Sequence, residues 1–408
     1  MFFCAFQWAN RLDRLGCRPP SKVLCFKRTT RRCPVLSLHA RLSEDLTSLL
    51  ESYKVKAPNN CNKRRLLLSH YEIQDLFEYL ERYRGGTNLV QLEQPLLVHL
   101  GCKSVSQLEW NSQGICLYLD FGTVFLDWNT LNDFLGLDSQ YRPMSHHSWN
   151  PKVTQGSHKK SKKPISIRNC KIRPGILLWE EDVSRVVHLE RLSFYSSTTK
   201  RPISLVPVTR NSPPTAIIGG FTMHRGYSGN QVVDPGLDTK WKIDCLYPLA
   251  PKSRVLDICT GLGYTLIELL RRYPDLERLI TIEVEEIMMF LQEINPWSSG
   301  WIQGNHDKTV HRLLGDATEI LPKLPDSYFQ VIIHDPPSQA LQGNLYSYEF
   351  YCQLARVLSP RGQLYHYIGN PSSKEAGRLY QGVVERLYRA GFGTVVKKSE
   401  AFGVVAIK

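Results

Sequence analysis

Four carboxylates punctuate the C-terminal half of the chain, each at or just after the end of a short apolar run. Asp257 lies near the end of RVLDI, Glu283 closes RLITIE, Asp316 follows VHRLLG, and Asp335 closes FQVIIHD. Between the first two stands Cys259-Thr260-Gly261-Leu262-Gly263-Tyr264-Thr265, a turn with two glycines. Such a turn lets the backbone approach a ligand closely, with the N–H groups of a following helix facing it. Glu283 comes 20 residues after Gly263, where an acid accepts hydrogen bonds from ribose hydroxyls. The third glycine of G-x-G-x-x-G is absent, because position 266 is Leu. That glycine serves close packing around a pyrophosphate. The pattern therefore suits a nucleoside without phosphates better than a dinucleotide. Asp335-Pro336-Pro337 offers different chemistry. Each proline fixes its φ, so a carboxylate stands on a stiff turn, ready to accept a hydrogen from a nucleophile.

These residues need a frame, and the sequence from Ser253 onward supplies one. Arg254–Ile258, Arg278–Glu283, Val310–Gly315, Phe329–Asp335 and Gly362–Tyr367 read as strands. Helices fit at 266–273, 284–295, 343–358 and 374–391. TVVKKS and GVVAIK close the chain as two further strands split at Phe402-Gly403. Alternation of this kind predicts an α/β fold with a doubly wound, mostly parallel sheet of seven strands. An antiparallel strand is expected at its C-terminal edge. Ligands of such sheets sit at the carboxyl ends of the strands, where the four acids stand.

The remaining segments read less clearly. Residues 44–140 form an N-terminal α+β region, with an amphipathic helix expected over Arg64 to Tyr83 and strands in 113–127. Residues 141–174 read as a basic flexible insertion. Residues 175–248 are rich in strand-like runs, and 249–408 form the nucleotide-binding domain. Strand alternation turns His334 away from Asp335. His366, at the end of the fifth strand, is a candidate catalytic group or a support for the acceptor pocket. Met223-His224-Arg225 is a candidate lid, its last two residues expected as exposed polar groups. Tyr346 and Tyr348 stand near the expected acceptor entrance.

The chain has 408 residues, 42% hydrophobic and 22% charged. These proportions exclude a wholly disordered, collagen-like or disulfide-scaffold protein. No stretch approaches the ~18 apolar residues of a spanning helix, so no membrane partner is expected. Eleven cysteines include no C-x-x-C pair and no zinc-finger spacing, so no metal is expected. The net charge of +13 is concentrated. Residues 1–43 carry +8 and residues 151–173 another +8, leaving −3 for everything else. The first segment, Arg-rich and nearly acid-free, has the composition of a transit peptide. An organelle is expected, plastid ahead of mitochondrion, with the cytoplasm as the alternative. The second is a candidate RNA contact with steep salt dependence.

The motifs also carry a resemblance. DICTGLGYT, TIEVEE, GDAT and IIHDPP resemble the ordered motifs of class I S-adenosylmethionine-dependent methyltransferases. LYSYEFYCQLARVLSPRGQL resembles the matching stretch of spermidine synthases, which share that Rossmann-like fold. PTAIIGGFTMHR, NPWS and LYSYEFY are similar to a poorly characterised group of predicted methyltransferases, best known from archaeal genomes. The resemblance spans roughly 175–408. It implies S-adenosylmethionine as cofactor, with Asp257, Cys259, Thr260, Gly261, Gly263 and Tyr264 around its methionine end. It further implies Glu283 on the ribose, Asp316 and Ala317 at the adenine, and Asp335, Pro336 and Pro337 beside the reacting centre. Asp335-Pro336-Pro337 resembles the D-P-P-aromatic motif of amino methyltransferases, with Ser338 in place of the aromatic. Methyl transfer to an unidentified acceptor (small molecule, RNA or protein) is the leading expectation. The alternatives are aminopropyl transfer from the decarboxylated cofactor and a non-catalytic cofactor- or RNA-binding role. Against aminopropyl transfer, the turn lacks the G-G-G-D-G of spermidine synthases and no second acid follows Asp335.

Overall fold

Short aliphatic runs bounded by turn residues become strands here, and amphipathic runs with good caps become helices. The computed structural model describes residues 45–55, 63–83, 88–139, 141, 143, 174–181, 187–228, 230–302, 309–339, 341–370 and 376–408. The Arg-rich segment 1–43 and the basic segment 151–173 lie outside the described residues.

Helix α1 covers residues 45–53. Strand β1 (Arg64–Ser69) and helix α2 (His70–Arg82) follow. The helix expected to start at Arg64 thus starts at His70. Its signal is a capping box, in which Ser69 Oγ accepts from Glu72 N while Glu72 Oε2 accepts from Ser69 N. The preceding RRLLLS pairs antiparallel with Ile176–Glu181 and buries Leu66, Leu67 and Leu68. Strands β2 (Leu89–Val98), β3 (Lys103–Trp110), β4 (Gly114–Leu119) and β5 (Gly122–Asp127) form an antiparallel meander, closed by α3 (Trp128–Leu135). Then come β6 (Ile176–Glu181), β7 (Val187–Arg191), β8 (Ser193–Tyr195), β9 (Pro202–Val206), β10 (Thr215–Ile218), β11 (Phe221–Thr222), β12 (Tyr227–Ser228) and β13 (Gln231–Val232). β1, β6 and β7 share one small sheet, and β8 to β11 another.

Helix α4 (Pro235–Asp244) leads into β14 (Arg254–Ile258), α5 (Tyr264–Arg272), β15 (Arg278–Glu283), α6 (Glu286–Ile294) and α7 (Pro296–Ile302). β16 (Val310–Leu314), α8 (Ala317–Ile320), β17 (Phe329–His334), α9 (Tyr348–Val357), β18 (Leu358–Tyr367), α10 (Ala376–Arg389), β19 (Thr394–Lys398) and β20 (Gly403–Ile407) complete the chain. These last seven strands form one sheet, ordered β16-β15-β14-β17-β18-β20-β19. β14 to β18 run parallel, and β20 is antiparallel to both of its neighbours. This is the Rossmann-like α/β sheet expected, with the order reversing at β14. The antiparallel strand lies inside the edge pair, so β19 takes the outermost place.

The central strands are buried on both faces, as parallel strands covered by helices must be. Leu256, Ile280, Ile332 and Leu364 pack with α9 and α10 on one face. Val255, Leu279, Val331 and Ile333 pack with α4 and α5 on the other. A third cluster joins Leu262, Tyr264, Met288 and Leu291 to Ile176, Leu178, Ile203 and Leu205. That seam holds the β8–β11 sheet over the glycine turn.

Candidate active site

The turn after β14 is built by local hydrogen bonding and braced from behind. Cys259 takes a left-handed φ of 64°, a conformation that costs a non-glycine residue roughly 1–2 kcal/mol. The turn therefore keeps its path without a glycine there. Gly261 follows at φ 55°, and a Cβ on it would stand 2.4 Å from Met223 Cε. Gln292 Nε2 donates to Gly261 O at 2.6 Å, and Ser298 Oγ donates to Leu262 O at 2.7 Å. Asn295 Nδ2 donates to the Tyr264 hydroxyl, which donates to Pro214 O at 2.8 Å. The Asn295-Pro296-Trp297-Ser298 motif is thus a buttress for the turn.

Above this turn lies a cleft of about 280 Å³. Cys259, Thr260, Gly261, Tyr264, Glu283, Asp316, Ala317, Asp335, Pro336, Pro337, Met223 and His224 all line it. Thr199, Arg201, Ile218 and Phe221 supply the roof, and Ser338, Leu341, Gln342, Asn344 and Tyr367 extend the wall beyond Asp335.

Six of the expected residues stand back from the cleft, Tyr348 among them at the start of α9. Asp257 lies beneath the turn, where Thr260 Oγ1 donates to its Oδ2 at 2.7 Å. Burial pushes its carboxyl up to about 7, against the pull of that hydrogen bond. Gly263 opens α5 at φ 81°. Tyr346 is fully buried and donates from its hydroxyl to Pro337 O at 3.0 Å, so it braces the proline turn. His366 is buried between β18 and α9, with Nε2 2.8 Å from the Tyr351 hydroxyl. Its ring stacks on His334 at 4.5 Å, and burial pushes its pKa down to about 3. Arg225 faces inward and is 6% exposed, which corrects the expectation of an exposed lid residue. Its side chain packs between the rings of Trp241 and Phe402. His224 also turns inward, its Nδ1 3.0 Å from Thr215 Oγ1. Both are drawn in because apolar and polar partners complete them there.

The acids of the cleft are held in two ways. Glu283 accepts from backbone: Oε2 from Gly261 N at 2.8 Å, and Oε1 from Val284 N and Glu285 N at 3.0 Å each. Burial nonetheless raises its pKa, outweighing those bonds. Asp316 Oδ1 accepts from Thr318 N at 2.7 Å. Glu285 Oε2 accepts from Ser196 Oγ at 2.5 Å and Thr199 Oγ1 at 3.1 Å, tying the roof to the edge of β15.

Asp335 is held by charge. Lys242 Nζ donates to its Oδ2 at 2.6 Å. Lys242 is 2% exposed and also lies 2.9 Å from Asp238 Oδ2. Arg225 Nε stands 2.6 Å from Asp238 Oδ1. Burial alone would lower the Lys242 pKa, but Asp238 and Asp335 raise it above its ordinary value. Burial pushes Asp335 up, while Lys242 pulls it down by less. Neither Lys242 nor Asp238 figured among the residues read from the sequence. The available signal was weak: an i,i+4 acid–base pair in PGLDTKWKID, a spacing common on solvated helix faces.

The donor set fits a nucleoside cofactor. Glu283 Oε2 keeps one unused lone pair beside the glycine turn, an acceptor for a ribose hydroxyl. Ile282, Val284, Met288 and Ala317 give the apolar walls a purine needs, with Asp316 at their edge. The β16-β15-β14 side of the switch point carries those groups, and the β17-β18 side carries Asp335.

Comparison with known proteins adds the following. No protein-family model matches the chain. An uncharacterized protein of Methanocaldococcus jannaschii is 44% identical over 197 residues, covering 48% of this chain and 64% of that one. Polyamine aminopropyltransferase 2 of Streptomyces coelicolor is 34% identical over 148 residues, covering 36% of this chain and 26% of that one. Polyamine aminopropyltransferase of Prochlorococcus marinus is 30% identical over 147 residues, covering 33% and 50%. The chain thus spans less than two thirds of each of these relatives. Among solved structures, a spermidine synthase bound to the transition-state analogue AdoDATO aligns with a TM-score of 0.41 at 18% identity, over 54% of this chain and 75% of that one. A SAM-dependent methyltransferase from Aquifex aeolicus aligns with a TM-score of 0.30 at 24% identity, over 39% and 84%.

Proposed function

We propose that the cleft binds S-adenosylmethionine and that the chain transfers its methyl group to an acceptor held beside Asp335. One observation carries the choice of reaction. On the acceptor side, Asp335 is the one acid among the described lining residues. Pro336, Pro337, Ser338, Leu341, Gln342 and Asn344 are uncharged. A polyamine is a polycation, and several convergent carboxylates are needed to hold its charged form.

The bound cofactor supplies an electrophilic methyl carbon: the acceptor's lone pair forms the new bond as the carbon–sulfur bond breaks, its pair passing to sulfur. The protein's part is placement and proton handling. Glu283 and the turn Cys259–Gly263 hold the nucleoside, and Met223 covers Gly261. Asp335, fixed by the two prolines and Lys242, accepts a hydrogen from the nucleophile. In-line placement at short range is the main lever for such a transfer.

A second reading, aminopropyl transfer from the decarboxylated cofactor, draws support from the relatives named polyamine aminopropyltransferases. To separate the two, the full chain is incubated with methyl-labelled S-adenosylmethionine and fractions of RNA, protein and small metabolites. In parallel it receives the decarboxylated cofactor with putrescine. Label transfer that disappears in Asp335→Ala supports methyl transfer. Spermidine formed with turnover displaces it.

A further inference from the structure

Resting on the reading that the cleft binds S-adenosylmethionine, we infer that Lys242, Asp238 and Arg225 are positioning residues that present Asp335 as a charge-balanced hydrogen-bond acceptor, so that the acceptor substrate enters as a neutral N–H or O–H nucleophile rather than an ammonium. Four charges alternate from the core to the cleft: Arg225, Asp238, Lys242 and Asp335, with contacts of 2.6, 2.9 and 2.6 Å. The row sums to zero. Asp238 and Lys242 stand one turn apart on α4, so the helix fixes their spacing. Arg225 is clamped between Trp241 and Phe402, and its Nη2 donates to Glu400 O.

A buried charge is tolerated where an opposite charge matches it. Here Lys242 occupies Asp335 Oδ2, and Oδ1 has no partner among the described residues. The Asp335 side chain keeps 21% of its surface exposed, against 3% for Lys242 and Asp238, so it alone of the three meets the cleft. One oxygen is therefore anchored and one left to accept. An ammonium would find a site whose negative charge is already matched. A neutral nucleophile would find an oriented lone pair, and its proton would pass to Oδ1 and then to water.

Other titratable groups face Asp335 from the neighbouring elements. Asp257 lies on β14, Cys259 on the turn, and Tyr346, Tyr365 and Tyr367 on the proline-turn and β18 sides. Burial raises the thiol and all three phenols, so they remain neutral near pH 7. Lys242 is left as the counter-ion.

The test reads charge at the reacting centre without needing the acceptor. Affinities of the full chain for S-adenosylmethionine, cationic at sulfur, and S-adenosylhomocysteine, neutral there, are measured by calorimetry from pH 6 to 9. Wild type should bind the two within about threefold at pH 6, with only the modest drift toward the cationic ligand that ionisation of Asp257 near pH 7 brings. Lys242→Gln should favour the cationic ligand at least tenfold at high pH, the preference fading as Asp335 takes up a proton, and added Asp335→Asn should abolish it. Where Lys242→Gln does not fold, Asp335→Asn alone reads the same balance, because its unmatched lysine should disfavour the cationic ligand at least tenfold relative to wild type. With S-adenosylhomocysteine present, putrescine should bind wild type at least tenfold more weakly than Lys242→Gln. A ligand ratio unchanged by these substitutions, or putrescine binding wild type as tightly, overturns the inference. Failure of wild type to bind either adenosyl ligand instead refutes the underlying reading of the cleft.

Discussion

The two halves of the cleft hold their acids by different physics. On the β15–β16 side, Glu283 and Asp316 are fixed by backbone N–H groups, most of them within two residues and one, Gly261 N, 22 residues earlier on the glycine turn. On the β17–β18 side, Asp335 is fixed by an ammonium 93 residues earlier in the chain. Backbone bonds come with the fold itself, so any sequence that makes this sheet and turn can hold an acid there. A side-chain ion pair must be assembled from distant segments, and it fixes the charge of the site as well as its shape. The first arrangement suits a cofactor that many such sheets share. The second suits discrimination among acceptors.

Substitutions can break or sharpen that contrast. The largest effect is expected at Asp335. Asp335→Asn should lower transfer about 10²–10⁴-fold, the range typical of a positioned acid–base group, and leave S-adenosylhomocysteine affinity within about threefold. Equal losses in both would erase the distinction between the halves. Next, Glu283→Ala should weaken binding of the same ligand by about 1–3 kcal/mol, through lost charged hydrogen bonds. Unchanged affinity in a calorimetric titration would remove Glu283 from the cofactor side.

Gly261→Ala should cost roughly 1–2 kcal/mol of stability from the left-handed backbone alone. It should also displace Met223, whose methyl occupies the space a Cβ would need. Adding Met223→Ala should recover part of the loss in thermal unfolding. No recovery would mean that the roof does not rest on the turn. A last effect concerns pH. Burial holds Asp257 and Glu72 near 7 in the folded chain, well above their ordinary values of 3.8 and 4.5. Between about 4 and 7 the unfolded chain has released protons that the folded chain keeps. Stability should therefore fall as pH rises through that window and level off above it. Glu72→Gln, which preserves the capping box, should flatten part of that slope in denaturant unfolding at pH 5 and 8. An unaltered slope would place the titration elsewhere.

The same contrast governs what the sequence makes legible. Glu283, Asp316 and Asp335 could be read because each follows a buried aliphatic strand, and strand tips of a doubly wound sheet point at ligands. The backbone partners of Asp316, and two of the three of Glu283, lie close by in sequence. Lys242 could not be read, because its partner just after β17 is defined only once the sheet is assembled and α4 covers it. His366 reads, from its place near a strand end, as a catalytic group or a support for the acceptor pocket, yet α9 covers it and Tyr351 takes its nitrogen. The boundary at Ser69 was missed for another reason. RRLLLS continues smoothly into a helical pattern, and its pairing with β6 lies over a hundred residues away. The Ser69-x-x-Glu72 capping box was the local clue to the true start.

The most direct measurement is calorimetric titration of the full chain with S-adenosylmethionine and, in parallel, its decarboxylated form. Methyl transfer predicts tighter binding of the carboxylated cofactor. Tighter binding of the decarboxylated form would contradict it and bring aminopropyl transfer forward.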